Sequence, residues 1–446
     1  MPINTPHASY KAATPLVARV TDTHTGGDAV KAKGDLYLPM LVEQTVQEYD
    51  RYKARGLFMP AVRRTEKGLT GAVMRKAPTA EVPDAAEPLI TDAGHGQPLE
   101  MLARKSVEQL QTKGRVGVLT DHDGERPTIS LYSREAILNW SSRFIILLES
   151  IEGFDAKDPY TVTSEPQIRE LTFDEQGHYV QHIWRTNKSG IFEKVETITP
   201  NKQGEPLDEI PFFVANPIDN TFDDHAPLLL DLADVNLDHY RLATDQRHGL
   251  HFTALPTMFI FGSLGTDGEG NEMPISVGPG TANQIPNTEG RAELLEYTGA
   301  GLESVKIAMD DDVQTMAAIG ARLLQPPRKG IVAAETARIE SSGESATLTT
   351  VAESVETALT AALRVAVWWM GGDPEQVKYE LNKDFIDANM PAPQLSALTQ
   401  SWQSGALSLE SYLWNLKRGE LLPDDRTVSD EVDLIAEGGA AGSDLG

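Results

Sequence analysis

The sequence contains no cysteine. That absence excludes disulfides, thiolate nucleophiles, iron–sulfur clusters and cysteine-based zinc sites together. Also missing is any apolar run of about 18 residues, the length a membrane-spanning helix needs. The longest apolar stretch, Ala358 to Met370, is broken by Arg364. Met1 to Lys33 has no positive start followed by an apolar core, so no secretory signal is expected, and the chain reads as soluble and non-secreted. Basic residues are scarce: 39 Lys and Arg stand against 66 Asp and Glu, a net charge of −27. A groove that grips nucleic acid needs clustered Lys and Arg to neutralise phosphates. The charge therefore excludes a DNA clamp, but not a protein that lets DNA slide past. The patterns GxxxxGK[ST], HExxH and GxSxG are absent. What remains is an ordinary globular mixture, 40% hydrophobic and 24% charged over 446 residues, enough for two to four domains with sizeable cores.

Hydrophobic periodicity divides the chain. Residues 1–36, rich in Thr, Ala and small polar residues, read as an N-terminal arm. Tyr37 to Phe58 has a helical stripe of Leu41, Thr45, Tyr49 and Tyr52, and Thr65 to Met74 is a shorter helix. Pro98 to Thr112 is a further helix, closed by Gly114. Then come strand patterns at Val116–Leu119, Thr128–Tyr132, Phe144–Ile151, Gln167–Phe173, Tyr179–Thr186 and Phe192–Thr199. Hairpin-type connectors occur at Asp174–Gly177 and Asn187–Gly190. Helices followed by a run of mostly antiparallel strands define an α+β class.

From Asp223 to about Phe252 the pattern is helical, with Pro227 in the first turn. Thr253 to Gly301 reads as a small β insert, and Leu302 to Leu324 as a second helix. Gln325 to Gly343 reads as a mobile connector. Ser345 to Met370 is the longest regular signal, with Leu348, Val351, Val355, Leu359, Ala362, Leu363, Ala366 and Trp369 recurring at three and four. Two short helices, Pro393–Gln403 and one capped by Ser408, precede a Gly-rich tail at Glu437–Gly446 that reads as disordered.

Few residues suggest chemistry. Asp121–His122–Asp123–Gly124 and the set Asp219, Asp223, Asp224 and His225 are the most metal-like clusters. The first lacks a terminal bidentate Glu and equally suits a turn, and the second equally suits helix capping and dipole complementation. His239, His248 and His251 lie on or near one helix, and His248 and His251, three apart, can face the same way but have no third ligand in view. Asp310–Asp311–Asp312 suits a helix start or a solvated face, and Gly262–Gly270 a flexible β loop. The C-terminal helix pair superficially suits a helix-turn-helix, but its second helix offers only Lys417 and Arg418 as basic residues. No catalytic residue, metal site or cofactor is assigned.

Certain strings, in order, are more specific. They are Arg64–Thr65 with Leu69–Thr70–Gly71–Ala72–Val73–Met74–Arg75–Lys76, then Gly114–Arg115–Val116–Gly117–Val118–Leu119, Leu138–Asn139–Trp140 and Glu209–Ile210–Pro211–Phe212. Asp231–Leu232–Ala233–Asp234–Val235–Asn236–Leu237–Asp238–His239–Tyr240–Arg241 follows, and then Leu255–Pro256–Thr257. Over about Tyr37 to Ile435 the chain resembles the portal proteins of tailed bacteriophages, closest to an uncharacterised portal-like branch. One local departure is Thr120–Asp123, where a Pro-containing turn is expected.

The resemblance implies a non-enzymatic ring, of twelve subunits in this family, at one capsid vertex of the virion. Double-stranded DNA is packaged and ejected through it without sequence specificity. The implied fold has a wing at 37–222, stem helices at 223–252 and 302–324, and a clip at 253–301. A tunnel loop at 325–343, a spine helix at 344–371, and a wing return, small helical crown and flexible tail at 372–446 complete it. Gln325, Arg328, Lys329, Glu335, Arg338 and Glu340 would lie in the tunnel loop. Phe261, Gly262, Asp267, Glu269 and Glu272 would lie in the clip, which meets the packaging motor and later the tail. Implied partners are the terminase large subunit, a head–tail adaptor, and the major capsid and scaffolding proteins, with no membrane. Assembly would take place in the host bacterial cytoplasm. Another head–tail assembly protein, or a metal-dependent hydrolase using the Asp clusters, is the alternative.

Overall fold

In the computed structural model the described residues are 2–122, 124–154, 158, 160–202, 205–253, 257–261, 291–295, 300–321, 334–383, 392–418, 421–422 and 426–441. The chain divides into two units, Met1–Lys383 and Asp384–Gly446.

The first unit opens with helices where an arm was expected. Helix α1 (Ala8–Thr25) is capped by the His7 side chain and buries Ala13, Val17, Val20 and Thr23. Those positions recur at four, three and three, a helical face whose small and polar members hid it from a composition reading. Arg19 pairs with Asp234 at 2.6 Å, and Tyr37 donates to Asp22 at 2.7 Å, so this helix is tied to the body. A short α2 (Gly27–Ala32) follows.

Helix α3 spans only Val46–Arg55. Its start is set by a capping box in which Thr45 accepts from the Glu48 amide and the Glu48 carboxylate reaches back to Thr45. Pro39 and that cap stop the helix from extending back to Tyr37, so Leu41 is exposed while Tyr49 and Tyr52 are buried. Helix α4 (Ala61–Val73) starts after Pro60, ahead of the expected Thr65. A strand β1 (Thr79–Glu81) and a one-turn α5 (Pro88–Thr91) lead to α6 (Leu99–Lys113). Gly114 closes α6 in the left-handed region at φ 83°, as the sequence indicates.

Two antiparallel sheets follow. Their strands are β2 (Val116–His122), β3 (Pro127–Ser133), β4 (Ile137–Trp140), β5 (Ile145–Phe154), β6 (Val162–Phe173), β7 (Tyr179–Thr186) and β8 (Phe192–Ile198). After a two-residue pair, β9 (Asn201–Lys202) and β10 (Glu205–Pro206), comes β11 (Phe212–Ala215). One sheet has the order β11-β2-β3 and the other β4-β5-β6-β7-β8. β11 joins the first sheet from 93 residues downstream in its Phe212–Leu119 pairing, which local periodicity cannot reveal. Gly117 is required at that seam: a Cβ there would lie 2.1 Å from the Phe212 ring.

The helical half begins with α7 (Leu230–Thr253), then β12 (Thr257–Phe261), β13 (Arg291–Leu295) and α8 (Ala300–Met316). The expected start of α7 at Asp223 is displaced, and Pro227 precedes the helix rather than occupying its first turn. A π-helical turn, Ala317–Ala321, continues α8, with Gly320 at φ 115°. Helix α9 (Ala334–Trp369) closes this half. All of its expected core positions, from Leu348 to Trp369, are buried. Val365 and Trp369 pack with Leu119, Ile137, Leu147, Leu171, Tyr179 and Phe212 into one core between α9 and both sheets. Strand β14 (Lys378–Glu380) then pairs with β1, returning the chain to the first fifth of the sequence.

The second unit holds α10 (Ala392–Gln403), α11 (Leu409–Arg418) and α12 (Val428–Ala441). Ser408 caps α11 through the Ser411 amide, as expected. α12 takes in Glu437 to Ala441 of the expected disordered tail, and 442–446 lie outside the described residues. Its start is set by Thr427, which accepts from the Asp430 amide while Asp430 accepts from the Thr427 amide.

Arg115, Arg134 and Asp224 meet in the interior of the first unit, each side chain about 1% exposed. Arg134 Nε donates to Asp224 Oδ1 at 2.9 Å, and Arg115 Nε lies 3.3 Å from the same oxygen. We expect Asp224→Asn to lower stability by about 3–5 kcal/mol, because it leaves two buried guanidinium groups without their counter-ion. Urea denaturation followed by tryptophan fluorescence measures this, and a loss under about 1 kcal/mol contradicts it.

Candidate functional site

The best candidate for a functional assembly is the run from α7 to α9. α7 and α8 are antiparallel: Gly249 near the end of α7 meets Leu302 near the start of α8, and Asp238 faces Asp312. Gly249 permits the close approach, since a Cβ there would lie 2.5 Å from a Leu302 methyl. Between the helices, β12 and β13 form an antiparallel ribbon with Thr257 opposite Leu295 and Phe261 opposite Arg291. At its other end the helix pair is anchored by Leu229, Leu232, Ala233 and Met316, which pack against Val20, Ala61 and Val62.

The expected site residues divide as follows. Phe261 is the last residue of β12. Gly262, Asp267, Glu269 and Glu272 of the expected clip lie outside the described residues, as do Gln325, Arg328 and Lys329 of the expected tunnel loop. Glu335, Arg338 and Glu340 are not on a loop: they lie in the first two turns of α9, where Ala334 to Ser342 contains neither Gly nor Pro. Ala, Glu and Arg are strong helix formers, so the connector ends at residue 333 rather than 343.

The metal-like clusters are counter-ions and turns. Asp121 Oδ2 accepts from Arg169 Nη1 at 2.8 Å, and its Oδ1 from Gln181 at 2.8 Å. Glu149 accepts from Arg169 Nε at 2.7 Å and from the Tyr132 hydroxyl at 2.6 Å. Burial, chiefly, and these carboxylates push the Tyr132 hydroxyl well above its ordinary range. Asp123 lies outside the described residues. Asp219 accepts from the Asn216 side chain and from the Thr221 amide and hydroxyl, which pull its carboxyl down to about 2. That is a local turn, and with α7 starting at Leu230 neither Asp223 nor Asp224 caps the helix. Asp224 is instead enclosed by Arg115 and Arg134. Among the described residues, no group of three His, Asp or Glu side chains is placed to hold a metal ion.

The histidines of α7 do not converge. The His239 ring is buried with Nδ1 unpartnered, and burial lowers its basicity against the opposing pull of Asp310. His248 packs edge-on against Tyr52 at 5.0 Å and lies 3.4 Å from Arg55. The triplet Asp310–Asp312 sits in the middle of α8, not at its start. Periodicity alone does not locate Asp312 opposite Asp238, because the crossing of two helices decides which faces meet. Helix α10 stacks Trp402 on Tyr412 of α11 at 4.9 Å, and Lys417 donates to the Arg426 carbonyl. Among the described residues, no helix is long and apolar enough to cross a membrane.

One comparison with known proteins falls on the same run, and others span most of the chain. A family model described as a domain of unknown function, DUF4055, matches residues 227–370, from just before α7 to the end of α9. No curated protein matches the chain. Among solved structures, the chain is similar to one from the neck of an empty GTA particle computed with C6 symmetry. Identity is 14% over 86% of this chain and 95% of that one, with a TM-score of 0.44. It is also similar to a chain from the virion of a native gene transfer agent particle, at 13% identity over 90% and 99%, with a TM-score of 0.42. A third is from the neck of a native GTA particle computed with C12 symmetry, at 14% identity over 80% and 89%, with a TM-score of 0.39.

Asp312 carries a pH signature. Burial, then Asp238 and Asp311, raise its carboxyl from 3.8 to about 6. A folded-state value above the unfolded one means ionised Asp312 is a cost at neutral pH, relieved as pH falls through about 6 toward 4. Asp312→Asn is therefore expected to stabilise the protein at pH 7.5 by up to about 1 kcal/mol after solvent screening. The stability difference between variant and wild type shrinks at pH 5. Urea melts of both proteins at both pH values test this, and a pH-independent difference contradicts it.

Proposed function

We propose that the chain is a subunit of a portal-type ring, through which double-stranded DNA enters and leaves a phage-like capsid at one vertex. The observation that carries this reading is the order α7, β12–β13 ribbon, α8, long α9. An antiparallel helix pair with a ribbon between its distal ends has the layout expected of a stem with a clip. The 24 residues of α7 rise about 36 Å, long enough to form the wall of a channel. The 36-residue α9, whose C-terminal part packs on both sheets, suits the spine that joins such a stem to a wing. The residue strings at 64–76, 114–119 and 231–241 support the same reading.

The charge balance fits a conduit. Repeated around a ring, a net charge of −27 per subunit disfavours tight binding of phosphate, so that DNA can be driven through without adhering. Ring closure requires heterologous contacts between the two lateral faces of each subunit. On this reading the 253–301 region meets the packaging motor and then the adaptor. The protein resides at the capsid vertex and catalyses no reaction. The hydrolase alternative is not favoured, since Asp121 and Asp224 are both engaged by arginines.

Negative-stain microscopy of the purified protein, or of capsid precursors containing it, is expected to reveal rings with a central opening. A monomer under all assembly conditions, absent from capsid precursors, overturns the proposal. Replacing both Arg328 and Lys329 with Glu is expected to leave ring formation intact while lowering the DNA content of particles. Loss of the ring itself would contradict their placement in the channel.

A further inference from the structure

The basic residues of this acidic chain are not spread evenly. Residues 51–76, from the second half of α3 through α4, hold eight Lys and Arg and a single carboxylate, Glu66, which is buried. Several of the eight are engaged: Lys53 pairs with Asp50, Arg55 lies beside His248, and Arg63 donates to the His24 carbonyl. Arg64 and Lys67 are different. Both are exposed, and neither side chain has a hydrogen bond or an ion pair among the described residues. They share one face of α4 with Gly71, at spacings of three and seven from Arg64. A Cβ at Gly71 would meet nothing within 4 Å, so this face is open to a close approach.

The complementary surface is on α8. One side of that helix packs on α7, and on the outer side Ile307 is 57% exposed. One turn further on, Asp310 and Asp311 are exposed and pair with no cation among the described residues. Each face therefore carries two like charges one turn from its uncharged contact point, Gly71 on α4 and Ile307 on α8. Within one chain the two faces do not meet. α4 approaches only the end of α8, where a Cβ on Gly320 would lie 3.9 Å from a Thr65 methyl. Asp310 is ten residues earlier, about 15 Å back along the helix.

We propose that the Arg64–Lys67 face of α4 docks the Asp310–Asp311 turn of α8 from a second copy of this chain, with Ile307 against Gly71. Two free cations match two carboxylates, whereas gripping a DNA backbone takes a longer array, because affinity grows with each phosphate neutralised. A contact between two different surfaces is heterologous, and its repetition closes a ring or extends a filament. The inference rests on the ring reading for closure, and deepens it by naming one subunit contact.

Charge exchange in the full chain tests it. Arg64→Glu with Lys67→Glu makes one variant, and Asp310→Lys with Asp311→Lys the other. Each variant alone sets like charges against each other at every contact. Each is expected to need about tenfold or more protein to self-associate, read by sedimentation velocity. An equimolar mixture of the two is expected to associate as wild type, because every contact then joins opposite charges. Unfolded variants cannot give that restoration. Independently, the chain has no cysteine of its own, so Lys67→Cys and Asp311→Cys can be mixed and bridged with a short bismaleimide. A covalent dimer is expected from the mixture and from neither variant alone. The proposal is overturned if either charge variant associates as wild type, or if associated protein gives no such dimer. It is also overturned if the α4 variant loses binding to a DNA duplex while self-association is unchanged, which assigns the face to DNA. Wild-type rings without the cross-link overturn this inference alone, whereas a wild-type chain that stays monomeric overturns the ring reading with it.

Discussion

The fold turns on one buried carboxylate. Asp224, in the segment before α7, lies between Arg134 after β3 and Arg115 before β2, with Arg134 90 residues away in the chain. Two guanidiniums and one carboxylate leave a net positive charge in a place that water does not reach, which is costly unless every donor is used. The structure offsets much of that cost with carbonyls and ring faces, while Arg115 Nε faces Asp224 at 3.3 Å without a hydrogen bond. Arg115 donates to the carbonyls of Phe222 and Ile137 and lies over the Trp140 ring at 4.2 Å. Arg134 donates to the Tyr10 carbonyl and lies over the Tyr10 ring at 4.6 Å. Burial lowers the Arg115 pKa to about 10, so it stays charged at neutral pH. First helix, sheet and helical half are thus joined around one carboxylate.

The same logic recurs at the edges of the core. Glu66, 3% exposed, accepts from Thr70 at 2.8 Å and pairs with His24 at 3.2 Å. Thr70 in turn accepts from Gln111, so α1, α4 and α6 are linked. Arg169 links β6 to β2 and β5 through Asp121 and Glu149. At Asp121 and Asp224 a carboxylate that could belong to a metal site serves as the counter-ion of a partly or fully buried arginine. The acidity of this chain is therefore not all on its surface, and the net charge says little about where the negative groups act.

Against this fixed body, the α7–α8 pair is held by different means. Apolar contacts anchor one end, glycine permits close approach at the other, and like charges at Asp238 and Asp312 oppose each other between. Ionising both carboxyls therefore costs stability in the middle of this pair.

The sequence by itself determined the elements whose period and punctuation are local. The long apolar face of α9, the end of α6 at Gly114, the strand β7 and the ribbon strand β12 were legible because side-chain repeat and turn residues lie within a few positions of each other. Pro39 and Thr45, which shorten α3, and Thr427, which starts α12, were also present but outweighed by a longer periodic reading. Tertiary structure alone decided the rest. The pairing of β11 with β2, the return of β14 to β1 and the packing of α1 against α7 join residues far apart in the chain. No local pattern encodes such partners. The roles of Asp121, Asp224 and Asp312 were set in the same way, because what a polar side chain does depends on which charge or acceptor the fold places beside it.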